Sequence, residues 1–333
     1  MQMAGKLMKA VQYSGYGGGA GALQYVDAPI PTPKKGELLI KLEATGLNPV
    51  DWKIQKGQLR PLLPSKFPFI PAVDVAGEVV SVGPGVNDFT TGDKVVSMLG
   101  SRNGGGLAEY AVASIKTTVK RPLGVSAENG ASLPIAALTA LQAIRDSAGV
   151  KLDGSGKEMN LLITAASGGV GHYAVQIAKL GRAHVTATCG ARNVSLIKEL
   201  GADEVLDYKT PEGAALKSPS GRKYDAVIHC TSNIPWSIFQ PNLSPNGKVI
   251  DFTPNFMSLA STFVKKLTLS SQQIVPFIVS GNSNDLAFMV NLVNEGKVKT
   301  IIDSKYPLEK AADAWAKSMD GHATGKIVVT FGE

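Results

Sequence analysis

The sequence predicts an α/β protein in which a β-rich part is joined to a doubly wound parallel sheet. Three observations predict this fold class. Residues 6–125 contain short β-branched segments separated by proline and glycine groups, a pattern typical of a small β barrel. From residue 126 onward strand-like and helix-like segments alternate, which is the pattern of βαβ units. A glycine-rich turn, AASGGVG, links the first strand of that alternation to its helix.

The β-rich part contains three clear strand segments, ELLIKLEATGL, DVAGEVVSVG and DKVVSML. Groups rich in proline, glycine and aspartate separate them, such as PIPTPKKG and VGPGVNDFTTGD. Ser126 is a candidate N-cap for the long apolar helical run that follows it, SAENGASLPIAALTALQAI. We therefore place a domain boundary between residues 125 and 126.

The alternating part contains the strand segments MNLLITA, HVTATC, DEVLD, YDAVIHC and GKVIDF. Helix-like segments VGHYAVQIAKLG and NVSLIKELG lie between the first three of them. The pattern then becomes mixed, with helices around DLAFMVNLVNEGK and LEKAADAWAKSM and a last strand in GKIVVTF. The expected division of the chain is therefore 1–125, 126–268 and 269–333.

Composition and charge exclude several classes of protein. The 333 residues carry a formal net charge of +7 without a long block of lysine or arginine. Ordinary surface composition is the simplest interpretation, and attraction to anionic lipid or to a phosphorylated ligand is the alternative. No basic run is interleaved with aromatic residues, which argues against nucleic-acid binding. Nothing resembles the ~18 consecutive apolar residues of a membrane-spanning helix.

The start of the chain and its cysteines indicate the compartment. MQMAGKLMKAVQY lacks the apolar core of a secretory signal and the Ser/Arg-rich stretch of a transit peptide, so we expect an intracellular protein without a cleaved address.

The two cysteines are too few for a disulfide framework or a cysteine-based structural zinc site. Cys189 and Cys230 should end the strands that flank the first strand, about 10 Å apart. Because that distance is beyond disulfide reach, both are predicted to be free thiols.

The glycine-rich turn has the spacing of a dinucleotide-binding fingerprint with alanine in its first position. In Ala166-x-Gly168-x-x-Gly171, Gly168 allows the backbone to approach a pyrophosphate and Gly171 allows the helix to pack closely on the strand. The amides of Gly169, Val170 and Gly171 lie at the helix N-terminus, where an anion is favoured. A turn needs glycine in any case, but the strand–turn–helix order predicts dinucleotide binding.

The end of the second strand predicts which dinucleotide binds. NAD-binding relatives of this fold carry an acidic residue there for the ribose hydroxyl, whereas this chain reads VTATCGARN. Gly190 leaves room, and Arg192 supplies a planar cation that suits a phosphate. Arg192 as an ordinary surface residue is the alternative. The pattern favours NADP(H) as the cofactor.

Several motifs together resemble a known superfamily. VDWKIQKG, PAVDVAGEVVSVGPGV, GDKVV, LAEYAV, AASGGVG and TGKIVV resemble the medium-chain dehydrogenase/reductases, and in particular their zinc-free quinone oxidoreductase branch with its plant chloroplast members. The resemblance covers essentially the whole chain. It implies a GroES-like substrate domain built from both ends of the chain and a Rossmann domain in the middle, with substrate bound in the cleft between them. It also implies a monomer or a homodimer.

The resemblance also implies that no metal binds. Where zinc-dependent alcohol dehydrogenases have a cysteine ligand this chain has Asn48, and where they have a histidine ligand it has Asp74, in DVAGE. The four closely spaced cysteines of their structural zinc lobe are absent, and none of the four histidines has paired ligand spacing. His172, on the fingerprint helix, is expected to be a packed or solvated helix residue.

The resemblance assigns candidate site residues. Lys53 and Asn48, in one segment with Asp51, are the catalytic candidates: Lys53 donates to an enolate or holds the nicotinamide ribose, and Asn48 orients either. An ordinary exposed loop is the alternative. Tyr208 is expected near the adenosine phosphate, and Phe252 at the nicotinamide end. The residues expected beside Tyr208 are Gly190, Ala191, Arg192 and Asn193.

These inferences predict a reaction class. We expect NADPH-dependent reduction of the C=C bond of α,β-unsaturated carbonyl compounds, with hydride added to the β-carbon, because conjugate reduction needs donors at the carbonyl oxygen rather than a metal. A quinone reductase and a weakly active, membrane-associated NADP-binding protein are the alternatives. The resemblance implies a peripheral location at the chloroplast inner envelope, with the cytoplasm as the alternative.

Overall fold

The chain of the computed structural model folds into two units, one built from both ends of the sequence and one from its middle. The structure describes residues 5–64, 66–252 and 271–332. The first unit comprises Met1–Leu138 with Gly281–Glu333, and the second comprises Thr139–Ser280. Within the described ranges, no helix is long and apolar enough to cross a bilayer.

The first unit is organised around a seven-stranded sheet. The strands of this unit are β1 Leu7–Gln12, β2 Gln24–Pro29, β3 Glu37–Leu47, β4 Asp74–Val82, β5 Lys94–Met98, β6 Tyr110–Ser114, β7 Thr118–Lys120, β14 Ile302–Pro307 and β15 Lys326–Thr330. The sheet order is β14-β15-β3-β4-β5-β7, with β6 also paired to β3, while β1 and β2 form a separate antiparallel pair. Strand β3 lies in the middle of the sheet. Most of its residues are buried, and its apolar side chains belong to the hydrophobic core. This arrangement joins the C-terminal strand β15 to β3.

Helices cover this sheet and connect the two ends of the chain. They are α1 Pro49–Gln55, α2 Ala127–Ala131, α3 Pro134–Gln142, α8 Ser283–Asn294 and α9 Ala311–Asp320. The indole of Trp315 is 1% exposed, and its Nε1 donates to Gln55 Oε1 at 3.0 Å. The C-terminal helix α9 therefore holds the end of α1.

The second unit is a parallel sheet with the strand order expected for a doubly wound fold. Its strands are β8 Asn160–Ile163, β9 His184–Cys189, β10 Glu204–Asp207, β11 Tyr224–His229, β12 Leu243–Asp251 and β13 Gln273–Pro276. Their order is β10-β9-β8-β11-β12-β13, which places the first strand between the second and the fourth. Its helices are α4 Gly171–Leu180, α5 Val194–Glu199, α6 Pro211–Ala214 and α7 Trp236–Phe239.

The helical run after Ser126 is shorter than the sequence pattern suggests. Ser126 does cap a helix, because its Oγ accepts from Asn129 N at 3.1 Å. The run is nevertheless divided into α2 and α3, and a π-helical segment, Ala143–Ala148, follows. Pro134 explains the break, since it has no amide hydrogen to donate and disfavours helical geometry in the residue before it.

The domain boundaries differ from those expected. The first boundary of the compact units falls at residues 138/139 rather than 125/126, because α2 packs against β3 and β4 of the first unit. The second falls at 280/281, whereas the expected boundary at 268/269 lies outside the described residues. The expected division of the chain into domains stays a prediction.

Candidate active site

The glycine-rich turn lies between β8 and α4 and has the two different glycine environments that a fingerprint requires. A Cβ on Gly171 would lie 2.4 Å from Ala165 O and 2.6 Å from Ala166 Cα, so no side chain fits between helix and strand. A Cβ on Gly168 would meet, among the described residues, only Ala165 O within 4 Å, at 3.2 Å. Gly168 N donates to Ala165 O at 2.9 Å, and Gly169 and Val170 are half-buried. The start of α4 beside them is where the helix favours an anion.

Two buried groups fix the shape of this turn. Ala166 is fully buried, and its N–H donates to Thr188 O on β9 at 2.8 Å. His172 is also fully buried, with Nδ1 2.9 Å from Gly168 O, so the ring supports the turn from inside the protein. Of the two environments expected for His172, packed or solvated, the structure shows the packed one. The residues present therefore fit a dinucleotide.

The residues expected at the adenosine end are brought together by the register of β9 and β10. Asp207 pairs with Cys189, and Tyr208 N donates to Cys189 O at 3.2 Å. The ring of the half-exposed Tyr208 lies 3.5 Å from the position of a Cβ on Gly190. A short 3₁₀ turn, Ala191–Asn193, follows, in which Ala191 and Arg192 are exposed and Asn193 is buried. A phosphate at this strand end would meet Arg192.

The ends of β11 and β12 form a second group of side chains. Phe252 directly follows β12, and its ring stands edge-on to Phe277 with centroids 5.3 Å apart. His229 was not among the predicted site residues, and its Nδ1 lies 3.1 Å from Thr164 Oγ1. Burial lowers the pKa of His229, so the imidazole is neutral. Its position at the carboxyl end of a central parallel strand was the available signal, because ligands bind at that edge.

Both cysteines are free, as predicted. Cys189 ends β9 and Cys230 follows β11, and these strands flank β8 in the expected order. Burial raises the pKa of the Cys189 thiol to about 11. Neither cysteine is therefore an activated nucleophile, since activation requires a lowered pKa.

In the first unit, the junction between β3 and α1 carries the catalytic candidates. Asn48 is the N-cap of α1, and its N–H donates to Asp51 Oδ2 at 2.7 Å. Pro49 occupies the first helical position, where its missing N–H costs nothing. Lys53 lies half-buried on the same short helix, with Nζ 5.7 Å from the ring centroid of Trp52. The capping interaction thus determines where the helix that carries Lys53 begins.

A lysine that the sequence reasoning did not select lies beneath this junction. Lys326 Nζ donates to Asn48 Oδ1 at 2.6 Å and to Leu47 O at 3.0 Å, and lies 3.7 Å from Asp74 Oδ2. Asn48 Nδ2 in turn donates to Asp74 Oδ2 at 2.8 Å. Lys326, Asp74, Asn48 and Asp51 are all at most 3% exposed. The sequence signal for Lys326 is a single lysine at the start of the apolar strand segment KIVVT.

This cluster changes the weight of the two catalytic candidates. Both ends of the Asn48 carboxamide are engaged by groups of the protein, so the arrangement favours a bracing role for Asn48 over donation to a substrate. Burial raises the pKa of Asp51 to about 7 and that of Asp74 to about 6. Burial also lowers the pKa of Lys326. The cluster therefore holds two carboxyls and one ammonium at the cost of desolvation.

Comparison with known proteins identifies the family. Two family models match, an alcohol dehydrogenase GroES-like domain at residues 34–123 and a zinc-binding dehydrogenase at residues 200–329. The chloroplast envelope quinone oxidoreductase homolog of Arabidopsis thaliana is 67% identical over 98% of this chain and 99% of its own length. The chain belongs to the quinone oxidoreductase family. The predicted resemblance to this branch of the medium-chain dehydrogenase/reductases is thereby confirmed, and so is the α/β fold class.

More distant relatives match over nearly the whole of this chain. The structure of the quinone oxidoreductase from Coxiella burnetii matches with a TM-score of 0.87 and 31% identity, covering 98% of this chain and 99% of that one. A chloroplastic NADPH-dependent alkenal/one oxidoreductase of Arabidopsis thaliana is 31% identical over 97% of this chain and 80% of its own length. The protein is thus an oxidoreductase of this superfamily, whose fold implies a nicotinamide cofactor.

The description of one matching family names zinc, so the side chains at the corresponding positions of this protein are of interest. The described residues contain no group of three or more His, Cys, Asp or Glu side chains that could hold a metal ion. At the two positions that the resemblance singled out, Asn48 and Asp74 bind each other and the Lys326 ammonium. This donor set fits an ammonium rather than a metal ion. The absence of a metal requirement stays a prediction.

The buried carboxyl of Asp51 makes stability depend on pH. Its pKa is raised in the folded state from 3.8 to about 7, so the folded state binds more protons than the unfolded state between these values. Stability from this group is therefore lost as pH rises through about 7. Asp51→Asn keeps an oxygen acceptor for Asn48 N and removes the ionisation. We expect it to raise the free energy of unfolding by about 2 kcal/mol at pH 8 and by roughly half as much at pH 5.

Urea unfolding of the wild type and of Asp51→Asn at the two pH values measures this difference. Asp88→Asn is the matched control, because Asp88 is an exposed aspartate of the same unit. A variant with the same pH dependence as the wild type would show that Asp51 does not titrate as its burial requires.

Proposed function

We propose that this protein is an NADPH-dependent reductase of the C=C bond of α,β-unsaturated carbonyl compounds, such as enones, ketols and lipid-derived reactive species. The observation that carries the proposal is the junction at α1, where the half-buried Lys53 lies on the helix, while Lys326 bonds to Asn48 and lies 3.7 Å from Asp74 Oδ2. Hydride addition to a β-carbon places negative charge on the carbonyl oxygen, where one hydrogen-bond donor is effective. Reduction of an isolated carbonyl demands stronger polarisation of that group.

In this proposal the second unit holds the cofactor. The amides of Gly169, Val170 and Gly171 bind the pyrophosphate, Gly168 lets it approach the backbone, and Ala166 shapes the turn. Arg192 and Tyr208, with Gly190, Ala191 and Asn193, bind the adenosine phosphate, and Phe252 lines the nicotinamide end. The open side of Gly168 and the exposed Arg192 at a strand end without an acid support the choice of NADP(H). The reduced nicotinamide, when bound, supplies the hydride.

The first unit holds the substrate in this proposal. Lys53 donates to the developing enolate oxygen or holds the nicotinamide ribose, and Asn48 keeps the helix that carries it in place. The α-carbon then takes a proton from solvent or from a side chain. The name of the alkenal/one oxidoreductase, whose chain matches 97% of this one, supports the substrate class.

A second candidate function is quinone reduction. The names of the more similar relatives support it, since the Arabidopsis homolog at 67% identity is named a quinone oxidoreductase homolog. A quinone is a doubly conjugated carbonyl, so the same donors serve both reactions. A weakly active, membrane-associated NADP-binding protein is the third reading of the same fold.

We also propose that the protein acts in the chloroplast, at the periphery of the inner envelope, as a monomer or a homodimer. The chloroplast names of similar relatives support the compartment. The net charge of +7 suits attraction to anionic lipid. The cytoplasm is the alternative location.

A panel of acceptors separates these functions. We expect NADPH oxidation with linear and cyclic enones, slower oxidation with quinones, and none without an acceptor. The measurement is kcat/KM for each acceptor at fixed NADPH. Turnover with quinones alone would favour the second candidate. NADPH binding without turnover of any acceptor would favour the third candidate, a weakly active, membrane-associated NADP-binding protein.

A further inference from the structure

Lys326 places an ammonium group at the start of a strand whose other buried residues are apolar. It begins β15, and the three residues that follow it are buried valine and isoleucine side chains. Lys326 itself is 2% exposed. Burying an ammonium is unfavourable unless its hydrogens are bonded, so its partners indicate what the residue is for.

This ammonium donates two hydrogen bonds and forms one ion pair at 3.7 Å, and all three oxygen partners lie where β3 ends or β4 begins. Two partners, Leu47 O and Asn48 Oδ1, belong to the two residues that precede α1. The third, Asp74 Oδ2, is on the first residue of β4. Lys326 therefore connects the C-terminal strand with a junction 278 residues away in the sequence.

These bonds leave the start of α1 a single arrangement. A flipped Asn48 carboxamide would point its amide at the ammonium and its oxygen at Asp74, so both bonds would be lost. The backbone N–H of the same residue forms the capping bond to Asp51. At the other end of α1, Gln55 accepts from Trp315. Both ends of the helix that carries Lys53 are thus held by the C-terminal part of the chain.

We propose that Lys326 is a positioning residue of the active site, whose ammonium holds Asn48 and the start of α1 so that Lys53 faces the substrate in one orientation. The proposal rests on the proposed role of Lys53 in the reaction. The competing explanation is that Lys326 merely neutralises Asp74, in which case it matters for folding alone.

A double variant distinguishes these two explanations. In Lys326→Met the Asp74 carboxyl is buried without its cation, so lower stability is expected from either explanation. Asp74→Asn combined with Lys326→Met removes both charges and keeps a side-chain oxygen for Ile135 N, which now donates to Asp74 at 3.1 Å. A double variant with nearly restored melting temperature and kcat reduced about tenfold or more supports positioning. Restored melting temperature with wild-type kcat overturns it.

Two further measurements keep the test decisive. Lys305→Met on the neighbouring strand β14 is the matched control, because Lys305 is half-exposed and forms an ion pair with Glu128. It is expected to leave kcat unchanged. Hydrogen exchange of Lys326→Met in the cold is expected to be at least about tenfold faster at residues 48–55 and unchanged in β8–β12. Unchanged exchange at residues 48–55 overturns the proposal even if the double variant does not fold.

The acceptor is chosen so that two failures remain distinguishable. The variants are assayed with whichever acceptor the wild type reduces best, an enone or a quinone. Failure of the wild type with enones rejects the proposed substrate class, whereas equal kcat in wild type and double variant rejects the role of Lys326. NADPH affinity is measured in parallel and is expected to change by less than about threefold, since all proposed cofactor contacts except the alternative contact of Lys53 with the nicotinamide ribose lie in the second unit.

Discussion

Alanine at the two glycines of the fingerprint turn is expected to give opposite results. Gly171→Ala should destabilise the fold by about 3 kcal/mol or more, because its methyl group would lie 2.4 Å from Ala165 O, a backbone atom that cannot move alone. Gly168→Ala should cost about 1 kcal/mol or less, since its methyl group meets among the described residues only one atom, at 3.2 Å. The same methyl group occupies the space through which a pyrophosphate approaches, so NADPH affinity should fall at least tenfold, or about 1.4 kcal/mol.

Thermal unfolding and NADPH titration of both variants measure these effects, with each glycine serving as the control for the other. Normal stability of Gly171→Ala would mean that helix and strand are not packed as the structure has them. Unchanged NADPH affinity in a folded Gly168→Ala would remove this turn from the cofactor site.

Arg192→Ala is expected to remove most of the preference for NADPH over NADH. A charge-assisted contact to the extra phosphate contributes roughly 1.5–3 kcal/mol, so the ratio of kcat/KM for the two cofactors should fall about 10- to 150-fold. The loss should appear in NADPH kinetics alone, because NADH has no phosphate at this position. Arg192 is exposed, so the melting temperature should stay near that of the wild type.

Arg222→Ala is the matched control for this substitution. Arg222 lies in the same unit but just before β11, at the amino end of the sheet, where it pairs with Glu158 on the surface. Its replacement should leave the cofactor ratio unchanged. A ratio unaffected by Arg192→Ala would show that another group selects the phosphate.

Local signals explain how much of this protein could be predicted from its sequence. The glycine spacing, the missing acid after β9 and the alternation of strands and helices are short-range patterns, and they predicted the strand order and the free cysteines. The ends of β9 and β10 bring Gly190 and Tyr208 together, because neighbouring parallel strands end at one edge. The pattern after β9 selected Gly190 and Arg192, whereas Tyr208 was expected there from the resemblance to the family.

The missed features depend on contacts between distant parts of the chain. Lys326 meets Asn48 across 278 residues, and Trp315 meets Gln55 across 260. No periodicity or spacing reports such pairs. The pairing of His229 with Thr164, 65 residues apart, was missed for the same reason. The break at Pro134 is a local feature. The apolar pattern continues through the proline and predicts one helix, whereas the missing amide hydrogen of Pro134 divides it.

The position of the transferred hydride tests the central claim most directly. The wild-type protein is supplied with an enone and with NADPH that carries deuterium at the transferred C4 position, and the product is analysed by NMR. With deuterated NADPH we expect deuterium only at the β-carbon of a saturated ketone. With unlabelled NADPH in deuterated water we expect deuterium at the α-carbon. Deuterium on the carbonyl carbon, in an allylic alcohol, would contradict it.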